Sequence, residues 1–427
     1  MSARMILAAS AASLALVLTG CASEATTASG DTTVQFLGPE NPETFVPVIE
    51  AFEETHPGIS IEYTQVPQDQ FNSTIQQRLG AEDDGIDVYT VDQPRVSQLA
   101  AQGFLVDLTE LKDDAEAAVA PDQYGVNFYN DKMWALPVWT STQMLFYNAD
   151  VLDEAGIEAP SIDPAARWTW EEIEAAGATA QEKAGIDYGF LFEQVELYYE
   201  MQQLTESLGG GSGLTGSDNL TPNIENDGWV DAMTWYADTF ESGLSPRGVG
   251  GFDTGPVFSN GNVAFFVGGP WDVGIFAGSA EFDWGIAPLP YFENGEPVTA
   301  TGSWSWGVSP FSKNQDAAQE FVEFASLNAE GNLATTEALT VIPSNVSAAA
   351  EYLKGFDATA GDKSAGVADL VTYEMANTAV ARPSTVGFVQ FEEVMNTAFA
   401  DIRNGSDVES RLAQATQELE EAFAKLQ

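Results

Sequence analysis

The stretch TVQFLGPENPETFVPVIEAFEETHPGISIEY, residues 33–63, sets the fold class. Thr33 to Leu37 reads as a strand, and Phe45, Val48, Ile49 and Phe52 then recur at the spacing of one helical face. His56-Pro57-Gly58 stops that helix, after which Ile59, Ile61 and Tyr63 alternate as residues of a half-buried strand do. Phe71, Ile75 and Leu79 make a second helical stripe and Ile86 to Val91 a third strand, while Pro94 opens a helix that Gly103 closes. Strand alternating with helix predicts an α/β lobe with a largely parallel sheet.

Leu136-Pro137 is expected to break this lobe, and Gln143 to Asn148 to begin an apolar strand of a second one. Thr169 is placed to cap a helix starting at Trp170, and Trp229 to Phe240 is aromatic and amphipathic. Val263 to Val267 is a continuous apolar strand running into Gly268-Gly269-Pro270-Trp271. Behind Asp407, the residues Val408, Leu412, Leu419, Phe423 and Leu426 mark a helix packed on one face. A chain of 427 residues is too long for one typical core and suits two lobes.

The 65 acidic and 15 basic side chains give a net charge of −50, a field that repels nucleic acid and anionic headgroups. Nucleic acid is therefore excluded as a partner, whereas cationic ligands stay in play. So acidic a surface reads first as a solubility or salt adaptation. Cys21 is the only cysteine, so no intrachain disulfide exists and stability must come from the cores. Arg4 and the apolar run Ile6 to Leu18, too short for a comfortable membrane span, read as a secretory signal. Leu18-Thr19-Gly20-Cys21 resembles the lipobox of bacterial lipoproteins, which implies a signal peptide over 1–20, lipidation of Cys21 and a flexible tether over 21–30. The protein is then expected outside the cytoplasm, anchored to the outer face of the cell membrane.

Five stretches, in order, resemble the extracytoplasmic solute-binding proteins of carbohydrate ABC importers, the family of the maltose-, trehalose- and glycerol-phosphate-binding proteins. They are FVPVIEAFEETHPGISI (45–61), IDVYTVDQP (86–94), ALPVWTSTQMLFYNADVLDEAG (135–156), FSNGNVAFFVGGPWD (258–272) and TGSWSWGVSPFSKNQDAAQEFVEF (301–324), with ARPSTVG (381–387) a weaker sixth. The resemblance implies two α/β lobes joined by a hinge around a ligand cleft. One lobe would take residues 31–138 plus 290–343 and the other 139–289 plus 344–427. It further implies a monomer that needs no cofactor and delivers a sugar to importer permease subunits.

Ligands of open α/β sheets sit beyond the carboxyl ends of strands, here the loops after Leu37, Val91 and Val267. Those loops hold the carboxylate of Glu40, the acid–amide pair Asp92 and Gln93, and Trp271 followed by Asp272. A sugar needs such groups: hydroxyls take charged or amide partners, and the C–H faces take an aromatic surface. Asp92 is equally placed to cap the helix opened by Pro94. By the resemblance, Trp271 matches the family's stacking tryptophan and Arg382 its sugar-binding arginine. Trp304 aligns with a glycine-tryptophan element, although Ser303 stands where that glycine is usual. Trp304 and Trp306 would share one face of a regular strand, so either both line the cleft or the strand is irregular. Trp139 and Ser141 stand where trehalose- and maltose-type relatives carry tyrosine and aspartate, which implies a longer or less densely hydrogen-bonded glycan than trehalose. Gln194, Tyr198 and Tyr199 are further contacts, with core packing the better account of at least two.

Two other functions use the same residues. A polyamine or other cationic solute would be held by the carboxylates and stacked on Trp271, with Arg382 opposing it if the guanidinium faces the cleft. A glycoside-acting enzyme would use paired carboxylates. His56 is the only histidine, and neither a GxSxG motif, a P-loop nor an HExxH motif occurs, so no catalytic residue and no metal site are expected.

Overall fold

In chain order the strands of the two main sheets are β1 (Thr32–Gly38), β2 (Ile59–Gln65), β3 (Val88–Asp92), β4 (Leu136–Thr140), β5 (Met144–Asn148), β6 (Tyr188–Phe192), β7 (Val263–Gly268), β8 (Trp284–Pro288), β9 (Trp304–Val308) and β10 (Ile342–Pro343). They belong to a computed structural model that describes residues 32–250 and 253–426; Cys21, the expected signal over 1–20 and the expected tether over 21–30 lie outside the described residues. One sheet has the order β10-β4-β9-β3-β1-β2 and the other β8-β5-β7-β6. Helices cover both, so the architecture is two α/β lobes.

The first sheet is only partly parallel. β1 pairs parallel with β2 and β3, as strands joined by crossover helices must. β9 instead returns from the other lobe and pairs antiparallel with β3 and β4, and β10, reached through the first-lobe helices Gln315–Leu327 and Ala329–Ala334, pairs antiparallel with β4. Pro137 does not break the lobe either, because it lies within β4. A proline inside a sheet needs a bulge or an edge, and the register between β4 and β9 shifts at Trp304/Ser305, beside the Ser305–Pro137 pair.

The helix Pro42–Thr55 starts on a proline at its first turn and buries Phe45, Val48 and Phe52 against this sheet. Phe36 of β1 meets Phe45 at 4.9 Å, Trp306 at 4.5 Å and Phe321 at 5.6 Å between ring centroids. Each such ring, taken fully from water, contributes on the order of 2–3 kcal/mol before its geometry is counted. The second sheet is covered on both faces. Leu145, Phe190, Phe192 and Phe265 enter one apolar cluster, while Met144, Phe146, Leu191 and Phe266 enter another. That two-sided burial explains the unbroken apolar run of β7. The helix Trp170–Ala184 opens with the expected cap: Glu172 N–H donates to Thr169 Oγ1 and Thr169 N–H to Glu172 Oε2.

The chain crosses between the lobes at 141–143, at 289–303 and after β10. The first two crossings run side by side. Gly302 N–H donates to Ser141 Oγ at 3.1 Å, the Ser141 hydroxyl donates to Gly302 O at 3.2 Å, and Gln143 N–H donates to Thr299 Oγ1 at 2.8 Å.

Where the helix Trp170–Ala184 lies on β6, the two backbones touch through Gly177 and Gly189. A Cβ on Gly189 would lie 2.7 Å from the Gly177 carbonyl carbon and 2.5 Å from Leu244 Cδ1. Gly189→Ala is therefore expected to lower stability by about 1–3 kcal/mol in urea melts at unchanged m. Gly278→Ala, whose Cβ would meet open space, should leave the midpoint unchanged or raise it.

Candidate ligand-binding cleft

A cavity of about 690 Å³ lies between the sheets. All three loops singled out beyond strand ends reach it: Glu40 follows β1, Asp92 ends β3, and Trp271 follows β7. Trp304 and Trp139 extend the first lobe's wall, and Glu193, Gln194 and Tyr199 extend the second's.

Trp271 opens the helix Trp271–Ser279, with its ring partly exposed and 6.4 Å from the Tyr199 ring. Its Nε1–H donates to Glu193 Oε1 at 2.9 Å. Trp304 is also partly exposed, whereas Trp306 is buried among Phe36, Phe45 and Phe321. The strand irregularity required by two tryptophans with different surroundings is the bulge beside Pro137. Trp139 is nearly buried: it stacks on Phe45 at 5.7 Å and 2°, and its Nε1–H donates to Thr335 Oγ1, so only an edge reaches the cleft floor.

The charged groups divide into paired and unpaired sets. Arg382 grips Asp92 with both terminal nitrogens, Nη1 to Oδ2 at 2.9 Å and Nη2 to Oδ1, while Arg95 binds Glu392. The Arg382 guanidinium also lies over the Tyr199 ring at 5.4 Å. Asp92 makes no side-chain cap to the turn that follows it, so the capping reading is replaced by this buried ion pair. Removing one partner of such a pair typically costs about 3–5 kcal/mol. Glu40 and Glu193 have no such cation, and Oε2 of each is buried without a hydrogen-bond partner. Burial pushes the Glu40 carboxyl up to about 8 and that of Glu193 up to about 7. The Asp272 carboxyl is also held well above the usual carboxylate range, through burial first and then the neighbouring Glu193 and Glu200.

The profile of the bacterial extracellular solute-binding proteins matches residues 38–331. The chain belongs to this family. Relatives include the galactooligosaccharide-binding protein of Bacillus subtilis, 29% identical over 250 residues and 56% of each chain. Another is the maltooligosaccharide ABC transporter solute-binding lipoprotein of Streptococcus pneumoniae, 26% identical over 243 residues, 56% of this chain and 55% of that one. The chain thus spans little more than half the length of these curated relatives. Among solved structures, the ABC substrate-binding protein of Listeria monocytogenes in complex with cycloalternan superposes with a TM-score of 0.82 at 20% identity, covering 92% of this chain and 99% of that one.

Within this solute-binding protein, Glu40, Asp92, Trp139, Trp271, Trp304 and Arg382 share the cleft, and three other predicted contacts do not line it. Gln93 turns into the first lobe, where Nε2 donates to Gln123 Oε1 at 3.1 Å. Ser141 is buried in the crossing, its hydroxyl occupied on both sides by Gly302. Asp272 lies behind the wall, Oδ2 accepting from Gly269 N–H at 3.1 Å. Of the aromatic stretch, Gln194 and Tyr199 face the cleft, while Tyr198 packs in the core and donates to Ser212 O. Sequence reasoning missed Glu193, Arg95, Glu392 and Asn396. The scarcity of basic residues was the available signal for Arg95, but helix Phe388–Arg403 carries no motif that marks Glu392 or Asn396.

Folded Glu40 holds its proton to a higher pH than the ordinary 4.5 of an unfolded glutamate. The folded state therefore binds the extra proton between those values, so the contribution is fully present below 4.5 and is lost as pH rises through about 8. Glu40→Gln is expected to flatten this decline, raising the melting temperature relative to wild type at pH 8 and changing it little at pH 4. Parallel melting curves across that range check it.

Proposed function

We propose that this protein captures an oligosaccharide in the cleft and delivers it to the membrane permease subunits of an ABC importer. The carrying observation is the composition of one cavity, which holds Trp271 from one lobe and Trp304 from the other among carboxylates and amides. Its volume of about 690 Å³ falls in the usual range for small-molecule sites. The galactooligosaccharide-binding and maltooligosaccharide-transporter relatives support a sugar. No catalytic role is proposed, since the relatives are binding proteins.

A solute touching both walls completes its contacts only when they approach, so binding favours the closed arrangement, and the permease reads that arrangement. The lobes are taken as residues 31–138 plus 290–343 and 139–289 plus 344–427, although β4 of the first sheet runs on past that first boundary to Thr140. The lipobox-like Cys21 and the pneumococcal lipoprotein relatives support a lipid-anchored monomer outside the cell membrane. No described helix is long and apolar enough to cross a membrane.

A cationic solute is the second reading, favoured by one observation: the Arg382 charge is already matched by Asp92 and does not oppose a dication. Calorimetry with maltotriose, a galactooligosaccharide mixture and spermidine separates the two. The expected result is heat from an oligosaccharide and none from spermidine; the reverse establishes the cationic reading, and turnover of the sugar overturns both. Trp271→Ala removes about 100 Å² of stacking surface, or about 2.5 kcal/mol, so affinity should fall roughly seventyfold while the melting transition stays. Unchanged affinity removes Trp271 from the site. Small-angle scattering should show compaction with the bound sugar, and its absence would end the closing mechanism.

A further inference from the structure

Trp271 is the aromatic face that both readings need, and a flat ring is useful only if its plane is held. Beneath it the backbone comes close: a Cβ on Gly269 would lie 2.3 Å from Trp271 Cη2, so the indole rests directly on that glycine. Glycine contact limits tilt on one side but leaves rotation within the wall free. The ring has one polar atom that can stop that rotation, and Nε1–H meets Glu193 Oε1.

Glu193 is itself anchored to the frame that carries Trp271. Its N–H donates to Val267 O of β7 at 2.8 Å, four residues before the tryptophan, and its carbonyl accepts from Thr254 Oγ1 at 2.6 Å. The carboxyl group faces Asp272 from the helix Trp271–Ser279, and Tyr199 and Glu200 from the helix Tyr198–Ser207, with Arg382 beyond Tyr199.

We propose that Glu193 is a positioning residue that sets the plane of the Trp271 indole by accepting its N–H, and so fixes the face offered to the solute. This deepens the reading of the cleft as a sugar site and takes its functional meaning from it. The bond strengthens as Glu193 ionises, because an indole N–H donates more strongly to a carboxylate than to a neutral acid. Burial raises that ionisation to about 7, against the hydrogen bonds from Trp271 and Gln194, which lower it.

The test labels tryptophan indole nitrogens with ¹⁵N and assigns the Trp271 Nε1–H resonance with Trp271→Phe. In the wild type the resonance should sit downfield and move with pH through about 7. Glu193→Gln keeps an acceptor, so the resonance should stay downfield and stop moving. Glu193→Leu has no acceptor, so it should move upfield and exchange with solvent about tenfold faster. A Glu193→Leu resonance coincident with wild type, or a titration that persists in Glu193→Gln, overturns the proposal. Should the leucine variant not fold, the glutamine titration alone decides. In a second arm, maltotriose affinity should fall about tenfold in Glu193→Leu and be largely rescued in Glu193→Gln. If wild type binds neither maltotriose nor galactooligosaccharide, the sugar reading fails, while the resonances still judge Glu193.

Discussion

The structure depends on two strands of backbone passing between the lobes without leaving a polar group bare. Residues 141–143 and 299–303 solve this by bonding to each other, with Ser141 serving Gly302 in both directions and Gln143 drawing on Thr299. A side chain on Gly302 would strike Ser141 Oγ at 2.8 Å, so the pairing also demands that glycine. Because both crossings are tied here, the ends of β4, β7 and β9 open onto the same gap. The cleft is a consequence of that tie before it is a property of any residue that lines it.

Much of the first lobe was legible because its signals are local. Phe45, Val48 and Phe52 repeat at helical spacing and Ile59, Ile61 and Tyr63 at strand spacing, and in the second lobe Thr169 likewise sits three residues before Glu172. Sheet direction was not legible. β9 comes back from the other lobe, and nothing in SWSWGV or its flanks says which way a returning strand will pair. Pro137 misled for a related reason, since the bulge that tolerates it is supplied by Trp304 and Ser305, far away in sequence.

The site shows the same division. Residues placed at strand ends, Glu40, Asp92 and Trp271, reach the cleft because topology puts strand ends there. Whether a neighbouring group turns inward depends on partners that appear only in three dimensions, as with Gln93 on Gln123, Ser141 on Gly302 and Asp272 on Gly269. Arg382 and Asp92 were each read as ligands of a solute, yet they lie 290 residues apart and bind one another. Arginine is scarce in this acidic chain, and Arg95, Arg167, Arg382 and Arg411 are all turned inward onto carboxylates. These inward ion pairs use up basic side chains, so much of the negative excess is left unpaired.

The only imidazole, His56, is stacked on Phe52 at 4.1 Å in the first lobe's helical layer, remote from the cleft lining. Acidity in the surrounding medium can therefore reach the solute only through carboxyls. Below about 7 the Glu193 and Glu40 carboxyls both carry a proton, and above about 8 both are ionised. Two carboxyls of the cleft lining thus gain or lose charge within the span of ordinary habitats.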